Sequence, residues 1–178
     1  MTSRVRVYLG CSLDGCIADS NDDLSWLIDP PEEEGDAVGF FTFMEDIGAL
    51  LMGRRTWNVV EAFDGWFYGE TPVLVATHRE IVCDRPTVQT VSGSIEEVVA
   101  AAREAAGDKD VYVDGGNLVR QALDAGLVDE IILTVGPIVL GEGVRLFDGL
   151  TKRHQLEFTK IVPWGRLVQI HARPVSAE

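Results

Sequence analysis

The chain has 178 residues, 46% of them hydrophobic, and its 29 acids against 15 lysines and arginines give a formal net charge of −14 at pH 7. That length is about one domain, here taken as residues 1–178, and a domain of this size buries a core without disulfide or metal staples. The acidic balance argues against nucleic acid as a partner, because affinity for nucleic acid rests on cationic contacts to phosphate.

In chain order, short apolar runs rich in β-branched residues predict strands at 4–9, 49–52, 72–76, 87–91, 111–113 and 130–135. Their near-continuous hydrophobicity implies burial on both faces, as in a parallel sheet. Residues 94–106 read as a helix: Ser94 and Glu97 form a capping box, and Ile95, Val98, Val99, Ala102 and Ala106 share one face. Leu118, Val119, Ala122 and Leu123 repeat that pattern in a helix that Gly126 ends. Beyond Val135, GPIVLGEG is turn-rich, and 155–162 with 166–172 predict a closing hairpin around Pro163 to Gly165. Helices between parallel strands, then antiparallel strands, make an α/β fold with a mixed sheet.

The N-terminal apolar run is broken by Gly10, Ser12 and Asp14 before it reaches the length of a signal peptide core or a membrane span. A cytoplasmic protein with no membrane partner is therefore expected. Cys11, Cys16 and Cys83 are odd in number and lack metal-ligand spacing, so they read as small buried hydrophobes, with neither disulfide nor metal implied. His78, His154 and His171 form no local ligand pattern.

Two strand-glycine-helix junctions carry the functional signal. In VYVDGGNLVRQ a strand runs into Gly115 and Gly116, and Asn117 and Leu118 open a helix behind them. In ALLMGRRTWNVV, Gly53 is followed directly by Arg54, Arg55 and Thr56. Each junction presents backbone N–H groups at the positive end of a helix dipole, with room for a phosphate to approach. Together they could clamp the two ends of a dinucleotide. Arg54, Arg55, His78 and Arg79 form a basic cluster in an otherwise acidic chain. Gly141 and Gly143 begin no G-x-G-x-x-G fingerprint, since Leu146 stands where the third glycine belongs. A phosphate loop, a nucleophile elbow, a zinc-protease helix and a deaminase signature are all missing.

Taken in order, VYLGCSLDGCIA, ALLMGRRTW, PVLVATHR, VDGGNLVRQALDAGLVDEI and GPIVLGEGVRLF resemble the dihydrofolate reductase superfold, in the branch holding the reductase domain of bacterial riboflavin biosynthesis. The resemblance implies a mixed, mostly parallel central sheet flanked by helices, a C-terminal antiparallel hairpin, and NADPH as cofactor, its hydride passing to a C=N or C=O group. On the matching positions, Gly53, Arg54, Arg55 and Thr56 correspond to the turn gripping the adenine-side phosphates, and Thr77, His78 and Arg79 to the strand end beside the ribose 2′-phosphate. Gly115 and Gly116 correspond to a glycine pair often joined by a cis peptide, with Asn117 and Leu118 opening the pyrophosphate helix, while Gly10 and Ile17 flank the nicotinamide seat.

Proton-donor candidates come from the same comparison. Asp114 precedes the glycine pair where that branch typically has Glu, and Asp23 resembles the acid opening the substrate helix of dihydrofolate reductases, although Asp22 and Asp23 also suit a helix cap. Asp14 matches an aspartate whose role is to fix a turn. The run NVVEAFDGWF departs from the branch, which there carries an Asp-x-Pro segment and an arginine that hold substrate phosphate. Trp57, Phe63, Trp66, Phe67 and Tyr68 suit either an aromatic pocket wall or a core or dimer seam. The expected function is an NADPH-dependent reductase of a small heterocyclic substrate, of riboflavin-biosynthesis type, acting as a homodimer. A folate or pterin reductase and a non-catalytic nucleotide- or flavin-binding module are the alternatives.

Overall fold

The computed structural model describes residues 3–27, 37–63 and 65–175. Its elements are β1 (Val5–Ser12), β2 (Cys16–Ala18), α1 (Phe40–Glu45), β3 (Ile47–Gly53), α2 (Arg54–Glu61), β4 (Val73–Ala76), β5 (Val88–Val91), α3 (Ile95–Ala106), β6 (Asp110–Asp114), α4 (Gly116–Asp124), β7 (Glu130–Gly136), β8 (Val144–Arg145), β9 (Gln155–Trp164) and β10 (Leu167–Val175). Eight strands form one sheet in the order β5-β4-β3-β6-β1-β7-β10-β9. The six from β5 to β7 are mutually parallel, and β10 and β9 close the far edge as an antiparallel hairpin.

Successive strand residues point to opposite faces, so each buried strand feeds two cores. Val5, Val7, Leu51, Val111 and Val113 pack with α3 and α4 on one face, whereas Tyr8, Leu50, Met52 and Tyr112 pack with Phe43 of α1 and Trp57 and Val60 of α2 on the other. Period-two alternation carries Asp114, two residues after Tyr112, to the α2 side. The N-terminal strand ends are tied by the buried Arg6, whose guanidinium meets Glu130 (2.6 Å), Asp46 (3.2 Å) and Asp110 (3.4 Å). Burying that cation is tolerable because three carboxylates compensate it.

Every strand expected from the sequence is present, as is the capping box of α3: Ser94 N–H donates to Glu97 Oε2 at 2.7 Å and Glu97 N–H to Ser94 Oγ at 3.3 Å. The hairpin turns at Gly165 and Arg166: β9 runs two residues further than the sequence suggests, with Pro163 inside it, and β10 begins one residue later. An edge strand tolerates this proline, which lacks a ladder donor. Three short elements carry no legible periodicity: β2, α1 and β8, of three, six and two residues. β8 lies just beyond the connection read as turns, and it pairs antiparallel with β2 outside the main sheet. Asp14 fixes the turn before β2, accepting from Ser12 Oγ (2.7 Å), Leu140 N (3.1 Å) and Gly141 N (2.9 Å). These bonds, the Ser12 hydroxyl first, hold its carboxyl down at about 2. Cys11 and Cys16 are buried, Cys83 is half-buried, and all three are free thiols. Among the described residues, no helix is long and apolar enough to cross a membrane.

Candidate active site

A cleft of about 570 Å³ opens at the carboxyl ends of the parallel strands, the place where open α/β sheets bind ligands. Gly10 at the end of β1, Gly53 of β3, Ala76 of β4 and Asp114 of β6 all line it, with Ile17 and Ala18 of β2. The first turns of α2 (Arg54, Arg55, Thr56) and α4 (Gly116, Asn117, Leu118) form its walls. A second, shallower hollow of about 420 Å³, between Trp57, Glu61 and residues 82–85, shares no lining residue with it.

The two junctions meet across this cleft. A Cβ added at Gly115 would lie 2.2 Å from Thr56 Oγ1, so the start of α4 sits directly against the start of α2. Gly115 also has φ +91°, which L side chains rarely adopt. Neither helix has a side-chain cap, in contrast to α3 and its capping box. An uncapped first turn leaves N–H groups and the dipole's positive end to a ligand, and two such turns face the same space. Residues and geometry thus fit a bound diphosphate. The Gly115–Gly116 bond is trans, where the family pair is often cis.

The cations of this region are already engaged. Arg54 donates to Asn58 Oδ1 and to the carbonyl of Glu80, both at 3.0 Å. Arg55, at the rim, pairs with Asp22 from the opposite wall at 2.9 Å and 2.5 Å. Arg120 also lines the cleft and bonds the carbonyls of Arg145 (3.0 Å) and Leu146 (3.1 Å). Sequence reasoning passed over Arg120, although a residue four after Gly116 lies on the same helix face. Thr77, His78 and Arg79 lie outside the cleft wall, one to three residues beyond Ala76. His78 and Arg79 are exposed, and the Arg79 N–H bonds Thr77 Oγ1 at 3.1 Å.

The other end of the cleft is aromatic. Tyr8, Phe40, Phe63, Tyr68 and Tyr112 line it around Asp114. Tyr8 stacks edge-on against Phe40 with centroids 5.6 Å apart, and Tyr112 Oη donates to the Tyr8 carbonyl at 2.8 Å. Tyr8 Oη in turn donates to the Val38 carbonyl (2.6 Å) and accepts from Gln169 (3.2 Å), so the wall is held from β10. Of the five aromatics flagged by sequence, Phe63 and Tyr68 reach the cleft, Trp57 is core, Trp66 packs on the core edge-on to Tyr68, and Phe67 is exposed. Tyr8 and Tyr112 were missed because a tyrosine inside an apolar strand reads as core.

Asp114 is the one buried carboxyl lining the cleft among the described residues. Burial raises its pKa to about 6, opposed by hydrogen bonds from the Gly115 N–H and the Tyr112 hydroxyl. The Tyr112 proton is committed to the Tyr8 carbonyl at 2.8 Å, and burial prevails at Asp114. A carboxyl poised near 6 is suited to donate a proton at neutral pH. Asp23 is placed differently. It is exposed, lines no part of the cleft, and accepts from the N–H and hydroxyl of Ser25, the latter first among the bonds that lower its pKa. No helix begins there: residues 23 and 24 have no regular structure and Ser25 and Trp26 form a turn.

Residues 4–170 match the family model of the RibD C-terminal domain. Among solved structures, a putative riboflavin biosynthesis protein from Shewanella sp. PV-4 superposes with TM-score 0.86 and 32% identity, over 97% of this chain and 99% of that one. The uncharacterized protein YwjB of Bacillus subtilis (strain 168) is 29% identical over 172 residues, 96% of this chain and 98% of its own. The Thermotoga maritima diaminohydroxyphosphoribosylaminopyrimidine deaminase/5-amino-6-(5-phosphoribosylamino)uracil reductase shares the fold at TM-score 0.69 and 18% identity, over 98% of this chain and 57% of that one.

Proposed function

The chain belongs to the RibD C-terminal domain family, and from that premise we propose that it is a cytoplasmic, NADPH-dependent reductase of a small heterocyclic substrate, of riboflavin-biosynthesis type. The observation that carries this reading is the pairing, in one cleft, of two uncapped helix N-termini with a buried carboxyl of raised pKa.

When bound, NADPH supplies a hydride to the electrophilic carbon of a C=N or C=O group. The first-turn N–H groups of α2 and α4 hold its pyrophosphate, Gly115 gives the backbone its close approach, and Arg54 and Arg55 flank the adenine-side phosphates. Gly10 and Ile17 seat the nicotinamide. Tyr8, Tyr68 and Tyr112 exclude water around Asp114, which gives its proton to the acceptor nitrogen or oxygen. The folate-reductase alternative rested on Asp23, whose exposed position gives it no support. Free thiols throughout suit a reducing compartment. The reading includes a homodimer over the hairpin face, where Phe158, Ile161 and Val168 stand 62%, 58% and 40% exposed. Light scattering tests that part: twice the 19.5 kDa chain mass supports it and a monomer contradicts it.

NADPH oxidation screened against pterins, dihydrofolate, aldehydes and 5-amino-6-(5-phosphoribosylamino)uracil tests the activity. Oxidation dependent on one acceptor class supports a reductase, whereas a fluorescence change on NADPH binding with no consumption by any acceptor makes the chain a binding module.

A further inference from the structure

From Val7 to Gly53 the sequence runs for 47 residues with eleven aspartates and glutamates and no lysine, arginine or histidine. This run supplies one side of the cleft's acceptor end, through Tyr8, Leu24, Leu27 and Phe40. The facing side, from α2, the loop after it and β6, adds Val60, Phe63, Tyr68 and Tyr112. Around Asp114 the walls are therefore rings and aliphatic chains. Of the three arginines that line the cleft, Arg54 and Arg55 open α2 and Arg120 lies in the second turn of α4. Each is already bonded to the protein, and Arg55 is neutralised by Asp22.

This distribution is the reverse of a phosphate subsite, which needs a free cation or an open helix N-terminus. Both available N-termini belong to the cofactor end. Resting on the reductase reading above, we propose that the acceptor is a planar heterocycle that carries neither phosphate nor carboxylate, bound by its faces between aromatic walls and reduced at a C=N bond. The step balances within the site. NADPH gives a hydride to the C=N carbon and becomes NADP⁺, the C=N π pair becomes the new N–H bond, and the proton comes from Asp114, which water then reprotonates. An anionic substituent would find no free cation on either wall, and the two acids that line the cleft, Asp22 and Asp114, would oppose it. The stretch NVVEAFDGWF, with one Glu, one Asp and no basic residue, agrees with this.

The test is binding of matched pairs to the full chain loaded with NADP⁺. One pair is 5-amino-6-(5-phosphoribosylamino)uracil and its dephosphorylated ribosylamino counterpart; the other is 7,8-dihydropterin and dihydrofolate, which adds carboxylates. Within each pair the uncharged member is expected to bind at least about tenfold tighter, a gap that narrows as salt is added. Equal affinities, a preference for the charged member, or no binding of any of the four at millimolar concentration overturns the proposal. Failure of NADP⁺ itself to load overturns the reductase reading instead, so the two failures are distinguishable.

Discussion

The two ends of the cleft solve different problems with different materials. The cofactor end is built from backbone: two uncapped helix starts, a glycine at φ +91°, and arginines braced by neighbouring carbonyls and carboxylates. The acceptor end is built from side chains: aromatic rings held by Tyr8, Tyr112 and Gln169 around one buried acid. Backbone recognises what every dinucleotide shares, whereas side chains decide which acceptor enters.

Removing the acid should separate the two ends most sharply. Asp114→Asn keeps size and hydrogen-bonding reach but has no proton to give, so single-turnover NADPH oxidation should fall about a hundred- to ten-thousandfold while NADPH affinity is unchanged. In the wild type the rate should decline as pH rises above about 6, the pKa at which the buried carboxyl loses its proton; the Asn variant should show no such limb. An unaltered rate and pH profile would leave water as the donor.

The same residue makes a stability prediction. Its folded pKa of about 6 lies above the ordinary 3.8, so between those values the folded state holds more protons than the unfolded one. Its contribution is complete below pH 4 and is lost as pH rises through 6, by about 3 kcal/mol for a shift of about two units. Asp14 and Asp124 are held at about 2 and titrate below this window. His171, lowered chiefly by burial, is common to both proteins, so the difference between wild type and Asp114→Asn isolates the acid. Urea denaturation at pH 4 and pH 7 measures it. The Asn variant should overtake the wild type at pH 7, and parallel curves would contradict the burial argument.

At the cofactor end the largest effect belongs to Gly115. Gly115→Ala must adopt a left-handed backbone and displace Thr56, which should cost about 1–3 kcal/mol and weaken NADPH binding. Adding Thr56→Ala removes the collision but not the strain, so stability should recover only in part. At Gly116 the tight contacts of a Cβ would be the flexible ends of Arg120 (3.0 Å) and Ile17 (3.1 Å), with the Arg145 carbonyl at an ordinary 3.8 Å, so Gly116→Ala should cost less. Equal costs at the two glycines would mean that the facing of α2 and α4 does not constrain the junction.

The smallest effect is expected at Arg79. It is exposed and lies beyond the cleft wall, so Arg79→Ala should weaken NADPH by less than about tenfold, and added salt should erase the difference. A larger, salt-independent loss would place the 2′-phosphate on residues 77–79 after all.

The same contrast explains what the sequence made legible. The strand-glycine-helix junctions announce themselves locally, because glycine and a following helix pattern are properties of neighbouring residues. Sheet class, hairpin and the α3 cap were readable for that reason. The acceptor end is assembled from β1, α1, α2, the loop after α2 and β6, from residues as far apart as the 104 positions between Tyr8 and Tyr112. Nothing local marks Tyr8 or Tyr112 as cleft rather than core. Asp23 shows the converse: its neighbours resemble a substrate helix, yet its carboxylate caps a turn with Ser25, because short polar side chains bond nearby backbone readily.

The most direct test of the central claim is calorimetric titration of the full chain with NADPH and with NADH at low salt. One site per chain is expected, tighter for NADPH, with binding weakened in Gly115→Ala and unchanged in Asp114→Asn. Equal affinity for the two cofactors, or loss of binding in Asp114→Asn with Gly115→Ala unaffected, would contradict it.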